Sequence, residues 1–355
     1  MACRAIRGEW INSQNTSQNE GLDGKKYSVR LQGDSMAVLC TATMANMADR
    51  KKVVIAFLRF GIQEILSLGH VLDRPVCLST EFIDRRLPVY KPWVEPFLYR
   101  TIITSQPDPG LYAKTRNALS IHPIIYMNTL RLILQQKPPS FFRDSVRNLY
   151  LAEPDLEDSK LVLSSCREVK NLWLNSKSTI LPDLLPLVEN LPLKRFYGYI
   201  CPLFGSYNSP EKIDFTHRLF SHITHLSLFD NPRAADPEIW CKVILIPHLT
   251  HLSFLSSRFH TIWLRVLQQC PSLRLLVGIG IISDLPHADE LKKDPRFVLM
   301  YCRGITRDWQ MGAYTGVDYW SRAEEFAAKR RSGEIDAHQY RLEGDESRKL
   351  GERHF

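Results

Sequence analysis

One six-residue pattern, apolar-x-x-Leu-x-apolar, recurs along this chain at nearly constant spacing, and that self-similarity narrows the folds open to it more than any other feature. Two copies are almost identical, ITHLSL from 223 and LTHLSF from 249. Sliding the skeleton along the sequence finds five more: VRNLYL at 146, VKNLWL at 169, LKRFYG at 193, LRLLVG at 273 and FVLMYC at 297. Successive starts lie 23, 24, 30, 26, 24 and 24 residues apart. The third and sixth copies place Gly198 and Gly278 where the others carry an apolar sixth residue.

A hexamer of this kind is too short to bury its own apolar side, so it predicts a strand that must stack on copies of itself. Each copy is followed by a stretch with helical apolar spacing that can return the chain to the next strand. Examples are LEDSKLVLSSCREV, LPDLLPLVENLPL, DPEIWCKVILIPHL and TIWLRVLQQCPSL. Cys166 and Cys270 both fall three residues before a strand start. That equivalence reads as small buried fillers rather than nucleophiles.

Over 140–305 the chain resembles the leucine-rich-repeat family, whose units run about 20–29 residues. The resemblance implies an α/β solenoid of about seven irregular repeats, with parallel strands on a concave face and helices on the convex one. The asparagine this family often places ninth in the unit appears only as Asn231; Pro154, Lys177, Cys201, Ser257 and Ile281 stand there in other units. Upstream, Trp93, Val94, Glu95, Pro96, Leu98 and Tyr99 resemble the string that follows the F-box helices in fungal leucine-rich-repeat proteins of the F-box-like group. That resemblance implies a degenerate F-box within 1–78, a partly disordered region, then a helical connector over 79–139. It further implies docking to a Skp-type ubiquitin-ligase adaptor. Residues 306–335, with Trp309, Tyr319, Trp320, Ala323, Phe326 and Ala327 on one helical face and Gly333 as a stop, are expected to cap the array. The charged tail 336–355 is expected to be disordered.

Composition excludes several classes. The longest apolar stretch, 53–72, carries Arg59, Gln63 and Glu64, which argues against a membrane span. No signal-peptide core opens the chain, and the eight cysteines contain no CxxC pair. Reduced thiols in a cytoplasmic or nuclear protein are the simplest expectation. The net charge of +8 is spread along the sequence rather than gathered in one run, so a nucleic-acid-associated role is the alternative reading and not the first.

Six histidines, His217, His222, His225, His248, His251 and His260, crowd 44 residues. His225 and His251 share a repeat position and should stack on neighbouring strands about 4.8 Å apart. With no carboxylate or cysteine at a matching position, they predict a repeated surface pair, and no metal or cofactor is expected. Gly278 and Gly280 form a G-x-G whose third member would be Ser283, which excludes a dinucleotide site. No catalytic constellation stands out.

Side chains alternate along a strand, so the third, fifth and seventh positions of each unit should line the concave face. They place Tyr150, Trp173, Tyr197, Tyr199 and Phe229 in one aromatic patch, flanked by Asn171, Asn175, Arg195, His225 and His251. Tryptophan, tyrosine and arginine are the residues enriched at binding hot spots. The competing accounts are strand propensity or burial under the N-terminal segment. The expectation is a monomeric, non-catalytic interaction scaffold that holds a protein target on this patch.

Overall fold

The structure, a computed structural model, describes residues 26–29, 40–43 and 91–342, apart from 106–123, 154, 177–178, 207–209, 231–236, 256–259, 281–287 and 303. The chain divides into two compact units, 1–88 and 89–355. In the first, strands β1 (Lys26–Val29) and β2 (Cys40–Thr43) pair antiparallel. The helical spacing at 60–72 and the expected F-box helices lie outside the described residues.

The second unit is an α/β arrangement built on a parallel sheet of ten strands. They are β3 (Thr101–Ser105), β4 (Ile125–Tyr126), β5 (Asn148–Ala152), β6 (Asn171–Asn175), β7 (Arg195–Gly198), β8 (His225–Leu228), β9 (His251–Phe254), β10 (Leu275–Ile279), β11 (Phe297–Met300) and β12 (Arg341–Leu342). From β5 to β12 each strand lies beside the next in the sequence, and β3 flanks β5 with β4 outside it. Short return segments lead from rung to rung, a solenoid-like order.

The hexamers explain the register. Their first, fourth and sixth residues point to one face. Val146, Leu149 and Leu151 of one rung stack on Val169, Leu172 and Leu174 of the next, all wholly buried. The return segments cover this face. Trp240, Val266, Cys166 and Cys270 reach it from them and fill one continuous core. Burial pushes the Cys166 thiol up to about 12, which keeps it protonated. Where a rung carries glycine instead, the neighbour takes the space. A Cβ on Gly278 would meet the Trp263 ring at 2.7 Å, and one on Gly198 would meet the Leu174 carbonyl oxygen at 2.0 Å.

Three details depart from the sequence reading. The last unit is displaced by three residues: Phe297 pairs with Leu276, so Phe297 and Leu299 hold the fourth and sixth positions. Its first position is therefore Asp294, whose carboxylate grips the Arg296 guanidinium instead of entering the core. An eighth rung precedes the seven. Around β3, Tyr99 just before it and Ile102 and Thr104 within it take the first, fourth and sixth positions, and the polar Thr104 hides the pattern while its hydroxyl donates to the Tyr150 carbonyl. Among the described residues, the return segment between β7 and β8 contains only short 3-10 turns, at Cys201–Phe204, Pro210–Lys212 and Arg218–Phe220. Proline at 202 and 210 opens two of them and cannot sit inside a longer helix.

The tail expected to be disordered from 336 is ordered through 342. Tyr340 stacks on Phe297, and Arg341–Leu342 add β12 to the sheet edge. No helix among the described residues is long and apolar enough to cross a membrane.

Candidate functional site

The other face of the sheet is where sequence placed the binding patch. The structure does not leave it open. Two helices, Ile305–Thr315 and Tyr319–Ser332, lie across it and form a second buried cluster with the strand residues. The expected cap thus covers a face rather than only an end. The aromatic patch is corrected from an exposed platform to a floor: Trp173 is 3% and Tyr197 1% exposed, and Tyr150, Phe229, Asn171 and His251 are buried as well. Asn175, Arg195, Tyr199 and His225 are half-buried at its margins. Among the described residues the covering segment is C-terminal.

The local sequence explains the fit. Asp318 caps the second helix by accepting from the Ser321 amide, while the Ser321 hydroxyl lies 3.0 Å from the Asp318 amide and accepts from it. This satisfies two of the donors at the helix start reciprocally. Gly316 and Gly333 end the two helices with φ of 81° and 77°, a conformation glycine adopts without strain. The tight turn between the helices brings Gly312 against Asp318, where a Cβ would lie 2.6 Å from the aspartate's own. Both helices can then present their aromatic sides to the sheet together.

Rung by rung the contacts are specific. Asn148 Nδ2 donates to the Ala313 carbonyl at 3.4 Å, and Trp309 Nε1 donates to Asn171 Oδ1 at 2.9 Å. Arg195 Nη1 pairs with Asp318 Oδ2 at 2.9 Å. Trp320 Nε1 donates to the Tyr197 hydroxyl at 2.9 Å. The Tyr319 hydroxyl joins Ser253, which in turn donates to Ser227. Arg330 closes the far end by donating to the carbonyls of Lys292, Asp294, Phe297 and Ala337. Ring packing fills the gaps: Trp173 stacks on Tyr197 at 5.6 Å and meets Trp309 edge-on at 6.1 Å.

His225 and His251 do stack, with ring centroids 4.0 Å apart, and the edge of Trp320 closes over both. Their Nδ1 atoms face Thr224 and Thr250 hydroxyls, and His251 Nε2 lies 2.8 Å from Glu324 Oε1. Burial, with His251, Arg195 and Arg274 nearby, drives the His225 pKa down to about 2. Burial also lowers that of His251 despite Glu324. Both rings are neutral at pH 7. His222 and His248 are exposed, and His217 instead caps the 3-10 turn at Arg218–Phe220. Among the described residues no three metal-ligating side chains converge.

With the shifted register, Val298 and Met300 take that face in the last unit. Sequence reasoning missed the covering residues as partners. The signal was present, since 306–335 and the strand face each carry an aromatic stripe too large for the surface of either. Asp230 was also missed. Its buried carboxylate accepts from the Ile200 and Cys201 amides at 2.9 and 3.0 Å, tying two rungs together.

The class these features define is an α/β chain on a ten-stranded parallel sheet, core on one face and self-covered on the other. No protein-family model and no curated protein matches it.

Proposed function

We propose that the chain is a leucine-rich-repeat protein acting as a non-catalytic interaction scaffold, and that it serves as a substrate receptor of a ubiquitin ligase through its N-terminal region. The observation that carries the scaffold reading is the rung-by-rung register. Side chains at equivalent positions of successive strands are held in straight rows by a rigid sheet, the arrangement by which repeat arrays present extended surfaces to other proteins. Most polar side chains of the self-covered face hydrogen-bond within the chain, the buried Trp173 Nε1 excepted, so a partner meets the rows along the sheet edge and the return segments. The receptor reading rests on the string Trp93–Tyr99 and its resemblance.

Gel filtration of the full chain mixed with purified Skp-type adaptor tests the receptor form. Co-elution at equal stoichiometry supports it. Separate elution removes it and leaves a stand-alone scaffold, whose partner must then bind as two purified proteins.

A further inference from the structure

The residue just before each of β3 and β5 to β10 occupies one row along the sheet edge. In order these are Arg100, Arg147, Lys170, Lys194, Thr224, Thr250 and Arg274. The row is locked by backbone bonds: the amides of Arg147, Lys170 and Lys194 donate to the carbonyls of Arg100, Arg147 and Lys170 at 2.8–2.9 Å. Four consecutive rungs therefore carry a cation at the same position, about 4.8 Å apart and spanning about 15 Å. Arg100, Lys170 and Lys194 are exposed and Arg147 half-buried.

Several cations elsewhere are paired. Arg195 is paired with Asp318, Arg274 with Glu324, Arg322 with Asp308 and Arg296 with Asp294. Among the described residues Lys170 and Lys194 have no carboxylate within ion-pair distance, and the Arg147 guanidinium donates only to the Arg143 and Val146 carbonyls. The turns flanking the row add Arg143 and Arg167 against two carboxylates, Asp144 and Glu168. Like charges held in register repel one another, so the fold gains nothing from this row.

We propose that this ladder docks an extended, acidic peptide segment of a protein partner, a reading that rests on the interaction-scaffold function and names the chemistry of its partner. Carboxylates on alternate residues of an extended peptide repeat about every 6.7 Å, within the swing of lysine and arginine stems across successive rungs. A single-stranded nucleic acid is disfavoured because such sites interleave cations with exposed aromatics for base stacking. Here Tyr150, Trp173 and Tyr197 are sealed under the helices.

The test is fluorescence anisotropy on the full chain with a labelled twelve-residue peptide of alternating Glu and Ser, its Gln/Ser counterpart and a twelve-residue oligothymidylate. The Glu peptide should bind, weaken with salt, and lose at least tenfold in affinity in Lys170→Glu/Lys194→Glu at unchanged melting temperature. Lys242→Glu/Lys293→Glu, exposed and off the ladder, should bind as the parent does. The proposal is overturned if Glu and Gln peptides bind alike, if the off-ladder variant loses as much, or if the oligothymidylate binds more tightly. Should the charge reversal lower the melting temperature, Lys170→Gln/Lys194→Gln decides: a loss of about threefold supports the ladder and unchanged binding refutes it. Adaptor binding is a separate measurement, so failure here leaves the receptor reading standing.

Discussion

Replacing Trp320 with alanine should show whether the strand face and its covering helices are one cooperative structure. Trp320 is 1% exposed, donates to Tyr197 and lays its edge on both stacked histidines. A buried tryptophan removes about 150–250 Å² from water, which at about 25 cal/mol/Å² amounts to about 4–6 kcal/mol. Measured Trp→Ala costs run about 3–5 kcal/mol, and the Tyr197 hydroxyl is left without its indole donor. Against a total stability of about 5–15 kcal/mol, the loss is a large fraction. Trp320→Phe keeps most of the bulk and gives up the N–H, so it should cost about 1–2 kcal/mol. The assay is urea unfolding of the full chain for both variants, with hydrogen exchange followed over 305–332. The expected result is a graded fall in the urea midpoint, alanine well below phenylalanine, with faster exchange in both helices. An unfolding free energy for Trp320→Ala within about 0.5 kcal/mol of the parent (about the noise of a surface change) would mean the helices do not hold this face, and the reasoning would fail.

Other outcomes follow from single contacts. Gly198→Ala should cost several kcal/mol, because φ is 143° and the new Cβ would collide with Leu174; Gly280→Ala, with φ of 147° and open space around it, should cost only about 1–2 kcal/mol of backbone strain. Equal melting temperatures for the two would refute the collision. Acid should weaken the covered face. His225 and His251 have depressed folded pKa values, so their contribution is complete above about pH 6.5. It is lost as pH falls below that, by up to about 1.4 kcal/mol per unit per ring. Asp308, whose carboxyl burial raises, acts in the opposite sense at lower pH. Urea midpoints at pH 7.5 and 5.5 should differ in the parent and converge in His225→Gln/His251→Gln; a flat parent would end the idea. Arg330→Met strands carbonyls of Lys292, Asp294, Phe297 and Ala337 and should cost about 2–4 kcal/mol. Protection of residues 336–342 against exchange should vanish with it, and retained protection would count against the role assigned to the guanidinium.

The rungs were legible where chemistry repeated. Leu149, Leu172, Leu226 and Leu252 announce their strands because the fourth position tolerates little else at that depth. The last unit slipped because Phe297-Val298-Leu299-Met300 is apolar at every residue, so alternation gives no phase, and Asp294 breaks the apolar first position. The candidate patch was read correctly as a shared face and wrongly as a free one. Strand periodicity says that Trp173 and Tyr197 point the same way. It is silent on what lies over them, because the answer sits more than a hundred residues away in Trp309 and Trp320. The stacking of His225 on His251 followed from repeat position alone, whereas Glu324 as partner of His251 did not.

The covering helices change how this chain can come into being. A repeat array contacts only its neighbours and can grow by adding one rung at a time. Here the first helix reaches back to Asn148 and Asn171, across 165 and 138 residues. Such long-range closure slows folding, because loop entropy is spent before the contact is gained. During synthesis, every rung from Tyr150 to Met300 waits with its aromatic side wet until residue 332 has left the ribosome. A nascent chain paused before that point is a sticky ribbon, a natural client for a chaperone. Removal of the last 50 residues should therefore do more than shorten the protein: it should leave the sheet with nothing to close it.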